Sequence, residues 1–286
     1  KIFNKFSRTT KFINEDVINY NIDHIFPIII DNTFKLINSV IIGNKNHLNK
    51  KTNYFIFMLF NRSTKISKIY DNFIKMNLLK IFELYLIPLL KLNEEMIDEY
   101  EFDPQNYINN VFHNESYDHE VISGFTQLIM NLKLNDIALL NEVVQLSLMK
   151  LQEFIASPSE DHVIVESYGG CLSLTLIYLE NLTIFKNPSD IESGLIKEIL
   201  LAIISNDEVL TSKPWFIARF LNCLSFVTHE YENMEILSAL FERCYNLFIN
   251  SSDMVIKVEA LCVLRTVILY NTKIHDNIKQ FIPLIV

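Results

Sequence analysis

Glycine is scarce in this chain, with only 5 among 286 residues. An average protein uses about 7% glycine, and the turns of all-β folds and the loops that cradle phosphates depend on it. The scarcity argues against an all-β fold and against a nucleotide-binding loop. The 7 prolines are spread singly, which leaves room for long uninterrupted helices. The composition therefore predicts a mostly helical protein.

Recognisable catalytic and metal-binding motifs are also missing. The sequence has no G-x-S-x-G, no H-E-x-x-H and no glycine-rich phosphate loop. The four cysteines form no C-x-x-C pair and lie in apolar runs, which is typical of buried, reduced thiols in an intracellular protein. His113–Glu120 holds two histidines and three acids, but the histidine spacing fits no helical face and no common zinc pattern. We expect no catalytic residues, no metal and no cofactor.

Long apolar runs are missing too. Stretches such as Tyr54–Phe60 fall well below the roughly 18 residues of a membrane-spanning helix, so we expect no membrane insertion. The bases of residues 1–92 are not interleaved with aromatics and glycine as in an RNA-binding sheet, so we expect no direct nucleic-acid contact. Because the chain begins at Lys1 and stops within a helical pattern, we expect an internal piece of a longer protein.

Charge is distributed unevenly along the chain, whose formal net charge is −9. Residues 1–92 carry 14 Lys and Arg against 6 Asp and Glu, whereas residues 93–120 carry 9 acids and no base. A concentrated acidic segment attracts basic partners and speeds their encounter. The alternative is that this segment is only a solvated loop between helices.

Apolar residues recur at spacings of three and four, the period of amphipathic helices. Similar segments also recur along the chain, since Ala218–Leu224 resembles Val258–Leu264, which begins 40 residues later. A period of about 40–47 residues with two helices per unit is typical of HEAT or armadillo repeats, which stack to bury a shared core. The sequence predicts an all-α fold, a right-handed α-solenoid of HEAT-type antiparallel helix pairs. We expect irregular HEAT-like pairs over 1–92, an acidic inter-repeat loop or linker over 93–119, and about four HEAT repeats over 120–286.

Three stretches resemble the importin-β superfamily of nuclear transport receptors, most of all the branch of importins seven and eight and their fungal relatives. The first is Ile87–Leu90 followed by acids and by Glu101–Ile108, similar to the family's D-P-x-E-Y-I, with Asn106 in place of the usual acid. The second is Asp253–Leu261, similar to P-V-K-V-E-A-A. Between them, Trp215–Arg219 stands where the family has a Y-x-R-A-R-like run.

The resemblance implies a receptor without catalytic activity that shuttles between cytoplasm and nucleus. Such receptors carry cargo under the control of Ran-GTP and pass the nuclear pore by contacting FG-repeat nucleoporins. We expect Ran-GTP to bind mainly through N-terminal repeats that this chain lacks. Two alternatives stay open: an exportin of the type that recycles importin-α, and a HEAT-repeat scaffold of an unrelated complex.

The same resemblance implies roles for particular residues. Basic cargo proteins would be drawn by salt-sensitive attraction to an acidic surface. We expect this surface to comprise Glu94, Glu95, Asp98, Glu99 and Glu101. We expect structural roles for the family-motif residues, with Asp103 capping a helix, Pro104 beginning it and Tyr107 packing inward. The remaining motif residues are Ala218, Arg219, Lys257, Glu259 and Ala260.

Overall fold

The computed structural model describes residues 15–43, 48–92, 94–113, 119–183, 190–231 and 233–270. Every regular element within these ranges is helical, so the all-α prediction is confirmed. The chain divides into two compact units. Unit 1 comprises residues 1–89 and 118–143, and unit 2 comprises residues 90–117 and 144–286.

Fifteen α-helices are described, several of them joined by turns of other helical types. In chain order they are α1 (Glu15–Tyr20), α2 (Phe26–Gly43), α3 (Lys50–Ser63), α4 (Ser67–Ile69), α5 (Lys75–Ile81), α6 (Glu94–Phe102), α7 (Pro104–His113), α8 (His119–Asn135), α9 (Ile137–Ala156), α10 (His162–Thr183), α11 (Asp190–Ile204), α12 (Asp207–Leu210), α13 (Pro214–Val227), α14 (Met234–Asn250) and α15 (Met254–Tyr270). Segments Asn21–Ile25, Tyr70–Ile74 and Phe82–Leu86 are π-helical, and Ile87–Leu90 and Thr228–Glu230 are 3₁₀ turns.

Short polar side chains begin many of these helices. The Asn206 side chain accepts hydrogen bonds from two backbone N–H groups of α12, and the Asn233 side chain does the same for α14. The Asp253 carboxylate accepts from the backbone N–H of Ile256 at the start of α15. The first N–H groups of a helix lack partners within it, so such caps fix where each helix begins.

The acidic segment expected as a loop or linker over 93–119 is helical in its described part, which comprises α6 and α7. The loop prediction was therefore wrong for these residues. Glu94 and Glu95 lie in the first turn of α6, where negative charge is favourable because of the partial positive charge of a helix N-terminus. The Asp103 carboxylate caps α7 at the backbone N–H of Asn106, and Pro104 is its first residue. These acids thus favour helix starts rather than a solvated loop.

Unit 1 is built around the packing of α3 against α8. The fully buried ring of Phe125 lies between those of Phe57 and Phe82, at centroid distances of 5.7 and 5.6 Å. Gly124 lets the two helices approach, because a Cβ atom there would lie 2.8 Å from the Cβ atom of Phe57. The amide of Asn61 donates to the carbonyl oxygen of Gly124 at 3.0 Å, which fixes the register of the pair.

A buried carboxylate connects the π-helical segment Tyr70–Ile74 and the start of α5 to the start of α9. Asp136 accepts a hydrogen bond from the Tyr70 hydroxyl at 3.0 Å and forms an ion pair with Lys75 at 2.7 Å. It also caps the backbone N–H of Leu139. Burial alone would raise the pKa of this carboxyl, but these hydrogen bonds outweigh it and the pKa is lowered. Asp136 therefore stays ionised and holds the three elements together.

In unit 2, α10, α13 and α15 lie side by side, with α13 packed against both others. Helix α14 packs along α15, and α11 contacts α13. Phe154 of α9 stacks on Tyr168 of α10 at 4.8 Å and meets the edge of Phe216 of α13 at 4.9 Å. Helices α6 and α7 pack on each other, and α7 also contacts α15.

Two described stretches, Asn21–Gly43 and His162–Glu180, are long and apolar enough to cross a membrane by length and composition. Neither stretch contains an uninterrupted apolar run of that length, because polar residues are spaced along both. Of the second stretch, 61% is buried within the protein, which makes it a core helix of unit 2, whereas only 17% of the first is buried. The absence of membrane insertion stays a prediction.

Because α3 and α8 approach closely at Gly124, adding a methyl group there should lower the stability of the protein. We expect Gly124→Ala to lower the free energy of unfolding by about 1–2 kcal/mol, because overpacking against Phe57 outweighs the gain in helix propensity. A Cβ atom at Gly194 of α11 would meet nothing within 4 Å. The control Gly194→Ala should instead stabilise the protein by about 0.5–1 kcal/mol. Urea denaturation followed by circular dichroism measures both, and equal effects of the two substitutions would contradict this packing.

Candidate functional site

The acidic surface expected from the sequence lies on α6. Glu94, Glu95, Asp98 and Glu101 are all exposed there. Glu94, Asp98 and Glu101 are separated by four and three residues, so they share one face of the helix. Glu99 differs, because it is only 9% exposed and accepts a hydrogen bond from the side-chain amide of Asn106. Four of the five predicted acids therefore form an exposed face, and Glu99 belongs to the interior.

Helix α6 is fixed to the rest of unit 2 at both ends. Just before it, the backbone N–H of Leu92 donates to Oε2 of Glu166 on α10 at 2.8 Å. Near its end, the Tyr100 hydroxyl donates to Oδ1 of Asp253 at 3.0 Å, and its ring meets that of Tyr107 edge to face at 4.9 Å. Asp253 also caps α15. These contacts hold the exposed carboxylates of α6 on a fixed backbone.

Beneath α6 and α7, unit 2 contains three ionisable side chains on its adjacent helices, the buried Glu166 and Glu259 and the half-buried Arg219. Glu166 of α10 is 4% exposed. Nη1 of Arg219 on α13 comes so close to Gly169 of α10 that a Cβ atom there would lie 2.7 Å from it and 3.4 Å from Oε1 of Glu166. Within the described part of the chain, neither this Nη1 nor this Oε1 has a hydrogen-bond partner. The guanidinium thus lies near the Glu166 carboxyl group, with no hydrogen bond between these two atoms.

Glu259 of α15 is the second buried acid of this group. It is 3% exposed, and its Oε1 accepts a hydrogen bond from the Asn222 side chain on α13 at 3.2 Å. Its Oε2 has no such partner among the described residues. Burial raises the pKa of the Glu259 carboxyl from 4.5 to about 8, although the hydrogen bond from Asn222 acts in the opposite direction. Glu259 is therefore mostly protonated at neutral pH.

The other family-motif residues are placed around these charges. Tyr107 is buried, and burial raises its pKa to about 12 although the positive charge of Arg219 opposes this. Ala218 of α13 and Ala260 of α15 are buried on adjacent helices, where small side chains allow close packing. Lys257 is partly exposed on α15. The structure thus brings Tyr107, Arg219 and Glu259 into one environment.

A cavity of about 740 Å³ opens beside the C-terminal end of α6. The first residues of four helices line it, since α7, α10, α13 and α15 all begin there. The aromatic and apolar part of its lining consists of Tyr100, Pro104, His162, Pro214, Trp215 and Met254. Its volume falls within the roughly 300–1,000 Å³ of ligand-binding pockets in proteins.

Nucleophilic and metal-binding groups are not assembled at this site. Burial raises the pKa of each of the four free thiols, which disfavours the reactive thiolate. No group of three His, Cys, Asp or Glu side chains in the described ranges is placed to hold a metal ion. The side chains of the cluster His113–Glu120 lie outside the described residues. The arrangement in unit 2 is suited to binding through charge and apolar contact.

Comparison with known protein families, with curated proteins and with solved structures finds no match to this chain. The site therefore has to be interpreted from its own geometry.

Several residues of the site were not predicted from the sequence. Glu166 and Asn222 are polar residues with apolar neighbours in largely apolar helices, which was the available signal of a buried role. The bond between Tyr100 and Asp253 joins residues 153 apart in the chain. No local pattern could have identified it.

The raised pKa of Glu259 predicts an unusual dependence of stability on pH. Between pH 4.5 and about 8 the folded protein keeps a proton that the unfolded chain has lost, so stability falls as pH rises through this interval. We expect Glu259→Gln to remove this dependence and to stabilise unit 2 at pH 8 by roughly 2 kcal/mol. Urea denaturation between pH 5 and 9, followed by the fluorescence of Trp215, measures the effect.

The matched control for this experiment is Glu242→Gln, at an exposed position of α14. It should leave the pH profile of the wild-type protein unchanged. A wild-type stability that rises between pH 5 and 8, or a Glu259→Gln profile identical to that of the wild type, would contradict the assignment of a protonated, buried Glu259.

Proposed function

We propose that this chain is a segment of a nuclear transport receptor of the importin-β type, and that α6 presents the surface on which basic cargo proteins bind. The observation that carries the proposal is the exposed acidic face of α6, formed by Glu94, Glu95, Asp98 and Glu101. Residues 93–120 contain no base to neutralise it. Such a face attracts basic proteins at long range and gives specificity by charge complementarity.

The anchoring of α6 supports this role. The bonds from Leu92 to Glu166 and from Tyr100 to Asp253 fix the helix on unit 2. Carboxylates on a fixed helix lose less conformational freedom when a partner binds than carboxylates on a loop, so each contact contributes more to affinity. The same position keeps Ile97 buried and directs the charged face away from the protein.

The packing of unit 2 supports the proposed right-handed HEAT-type solenoid. Helices α10, α13 and α15, which would be the first helices of successive pairs, lie next to one another. Helix α14 packs on α15, and α11 packs on α13. Stacked helix pairs produce this order, because each pair buries its apolar faces against the next. A continuous row of helices would give a long surface for a protein cargo.

Control by Ran-GTP, contact with FG-repeat nucleoporins and shuttling between cytoplasm and nucleus complete the proposal. They rest on the resemblance of Glu101–Ile108 and Asp253–Leu261 to the receptor family. In this proposal the receptor has no catalytic activity, cofactor or metal of its own. Most of the Ran contact belongs to repeats outside this chain.

The acidic face is tested by neutralising it. We expect replacement of Glu94, Glu95, Asp98 and Glu101 by Gln or Asn to weaken binding of a lysine-rich peptide about tenfold, since each exposed charge pair contributes a few tenths of a kcal/mol. The affinity should also depend less on salt. Fluorescence anisotropy of a labelled peptide at low and at physiological ionic strength measures both quantities.

The matched control removes the same number of charges elsewhere in unit 2. It replaces the four exposed residues Glu153, Glu160, Glu208 and Glu242 by Gln, and it should bind almost as the wild type does. Unchanged affinity of the α6 variant at low salt would refute the cargo surface. Equal losses in the two variants would show a general effect of net charge instead.

The direction of transport is tested on the longest natural protein that contains this chain. An importin-type receptor should release the lysine-rich peptide when Ran-GTP is added, because the two ligands oppose each other's binding. Ran-GDP is the control and should have no effect. Tighter peptide binding with Ran-GTP would indicate an exportin, and no Ran binding in either nucleotide state would leave a scaffold protein.

A further inference from the structure

Of the two long apolar stretches described above, the one that contains α2 is far less buried than the other. Only 17% of Asn21–Gly43 lies inside the protein, against 61% of His162–Glu180. A helix that is apolar around most of its circumference is normally enclosed, either in a protein core or in lipid. The described part of this protein encloses only one side of α2, which leaves a large apolar surface open to a partner.

The enclosed side of α2 faces unit 1. Phe26, Ile30 and Ile37 are each at most 2% exposed, and α2 packs on the π-helical segments Tyr70–Ile74 and Phe82–Leu86. A second set of apolar residues, which begins at the last residue before α2, is between 39% and 84% exposed. We call this set the outer face of α2, and it consists of Ile25, Ile28, Ile29, Leu36 and Ile42.

The outer face of α2 is aliphatic. Ile25, Ile29 and Leu36 are four and seven residues apart, so they share one side of the helix. The set comprises four isoleucines and one leucine, whereas protein interfaces depend mostly on Trp, Tyr and Arg as anchors. An aliphatic surface instead matches the acyl chains of lipid, which offer no hydrogen-bonding groups.

The acids of this stretch are neutralised within unit 1. Asn21–Gly43 contains two acids, Asp23 and Asp31. An oxygen of Asp31 lies 2.6 Å from Nζ of Lys35, and an oxygen of Asp23 lies 2.5 Å from Nζ of Lys68. Because each carboxylate has a lysine beside it, the stretch does not repel a negatively charged surface.

Basic residues flank the apolar stretch in the sequence. Residues 1–20 carry four bases against two acids, and residues 44–63 carry four bases and no acid. Bases next to a membrane-bound segment are attracted to the acidic head groups of anionic lipids. Tyr20, 59% exposed just before the stretch, is a residue of the type enriched where lipid meets water. Charge and composition together indicate an anionic membrane as the partner.

We propose that the outer face of α2 docks this chain on the surface of a membrane that contains anionic lipids. The helix lies in the plane of the membrane, with its aliphatic side chains between the head groups and the acyl chains. It does not cross the membrane, because Phe26, Ile30 and Ile37 stay packed in unit 1. The inference does not rest on the proposed function, which concerns α6 of unit 2 and protein partners.

Flotation of the chain with vesicles measures the binding. Vesicles of phosphatidylcholine alone are compared with equimolar vesicles of phosphatidylcholine and phosphatidylserine. We expect the chain to bind the vesicles with phosphatidylserine about tenfold more tightly at low ionic strength, because the flanking bases are attracted to them. This preference should decrease as the salt concentration rises.

Two matched double variants locate the contact. Ile28→Gln with Ile42→Gln removes the two most exposed side chains of the outer face, at 61% and 84%, and should weaken vesicle binding about tenfold. Met149→Gln with Val163→Gln removes two similarly exposed side chains of unit 2, at 59% and 71%, and should bind as the wild type does. Gln is favourable in helices, and circular dichroism establishes that both variants fold.

A further pair of variants tests the charge separately. Lys5→Gln with Lys11→Gln should lower the affinity for phosphatidylserine vesicles several-fold and leave the affinity for phosphatidylcholine vesicles unchanged, because only the first kind carries negative charge. The control Lys257→Gln with Arg265→Gln removes the same charge from α15 of unit 2. It should keep the affinity of the wild type for both kinds of vesicle.

Several outcomes would overturn the proposal. Equal binding to neutral and anionic vesicles would exclude the role of charge, and equal binding by the α2 variant and its unit 2 control would exclude the outer face as the contact. Absence of binding to either kind of vesicle would leave a protein as the partner. A dimer of the chain in solution that Ile28→Gln with Ile42→Gln dissociates, measured by sedimentation, would assign the outer face to a second copy instead.

Discussion

Glu166 is an acidic side chain held almost entirely away from water, and the position of α6 depends on the hydrogen bond that replaces part of its hydration. A buried ion costs several kcal/mol unless hydrogen bonds or an opposite charge replace its hydration. Oε2 of Glu166 accepts from the backbone N–H of Leu92, and Arg219 reaches over Gly169 towards the same carboxylate. The segment that precedes α6 is therefore joined to α10 by a hydrogen bond to a buried carboxyl group.

This constraint links the inside of unit 2 to its surface. The buried Glu99 and Tyr100 direct one side of α6 towards the protein, and Asp98 and Glu101 then necessarily face solvent. A solvated loop with the same composition would carry the same charge, but it would present no fixed pattern of carboxylates. The acidic character of residues 93–120 becomes a defined face only because the helix is held from below.

The sequence was sufficient to predict the helices and many of their ends, because apolar residues at helical spacing and caps such as Asn206 and Asp253 act locally. It failed over α6, where the density of acids suggested a loop. The buried pair Ile97 and Tyr100, at helical spacing within that acidic run, was the contrary signal. The cavity was beyond sequence reasoning, since its lining extends from Tyr100 to Met254 and depends on which helices begin at the same place.

The bond between Tyr100 and Asp253 connects the acidic helix to the cavity. Both residues line the cavity, and Asp253 at the same time caps α15. A ligand that fills the cavity without breaking this bond would restrain Tyr100 and thereby the end of α6. A ligand that competes for Asp253 would free the helix and weaken the cap of α15 together. The effect of an occupant on the position of α6 and the effect of that position on the occupant's affinity are equal in free energy. An occupant that stabilises the anchored position of α6 therefore binds more tightly when α6 is anchored. Tyr100 is therefore the side chain through which occupation of the cavity and the position of α6 affect each other.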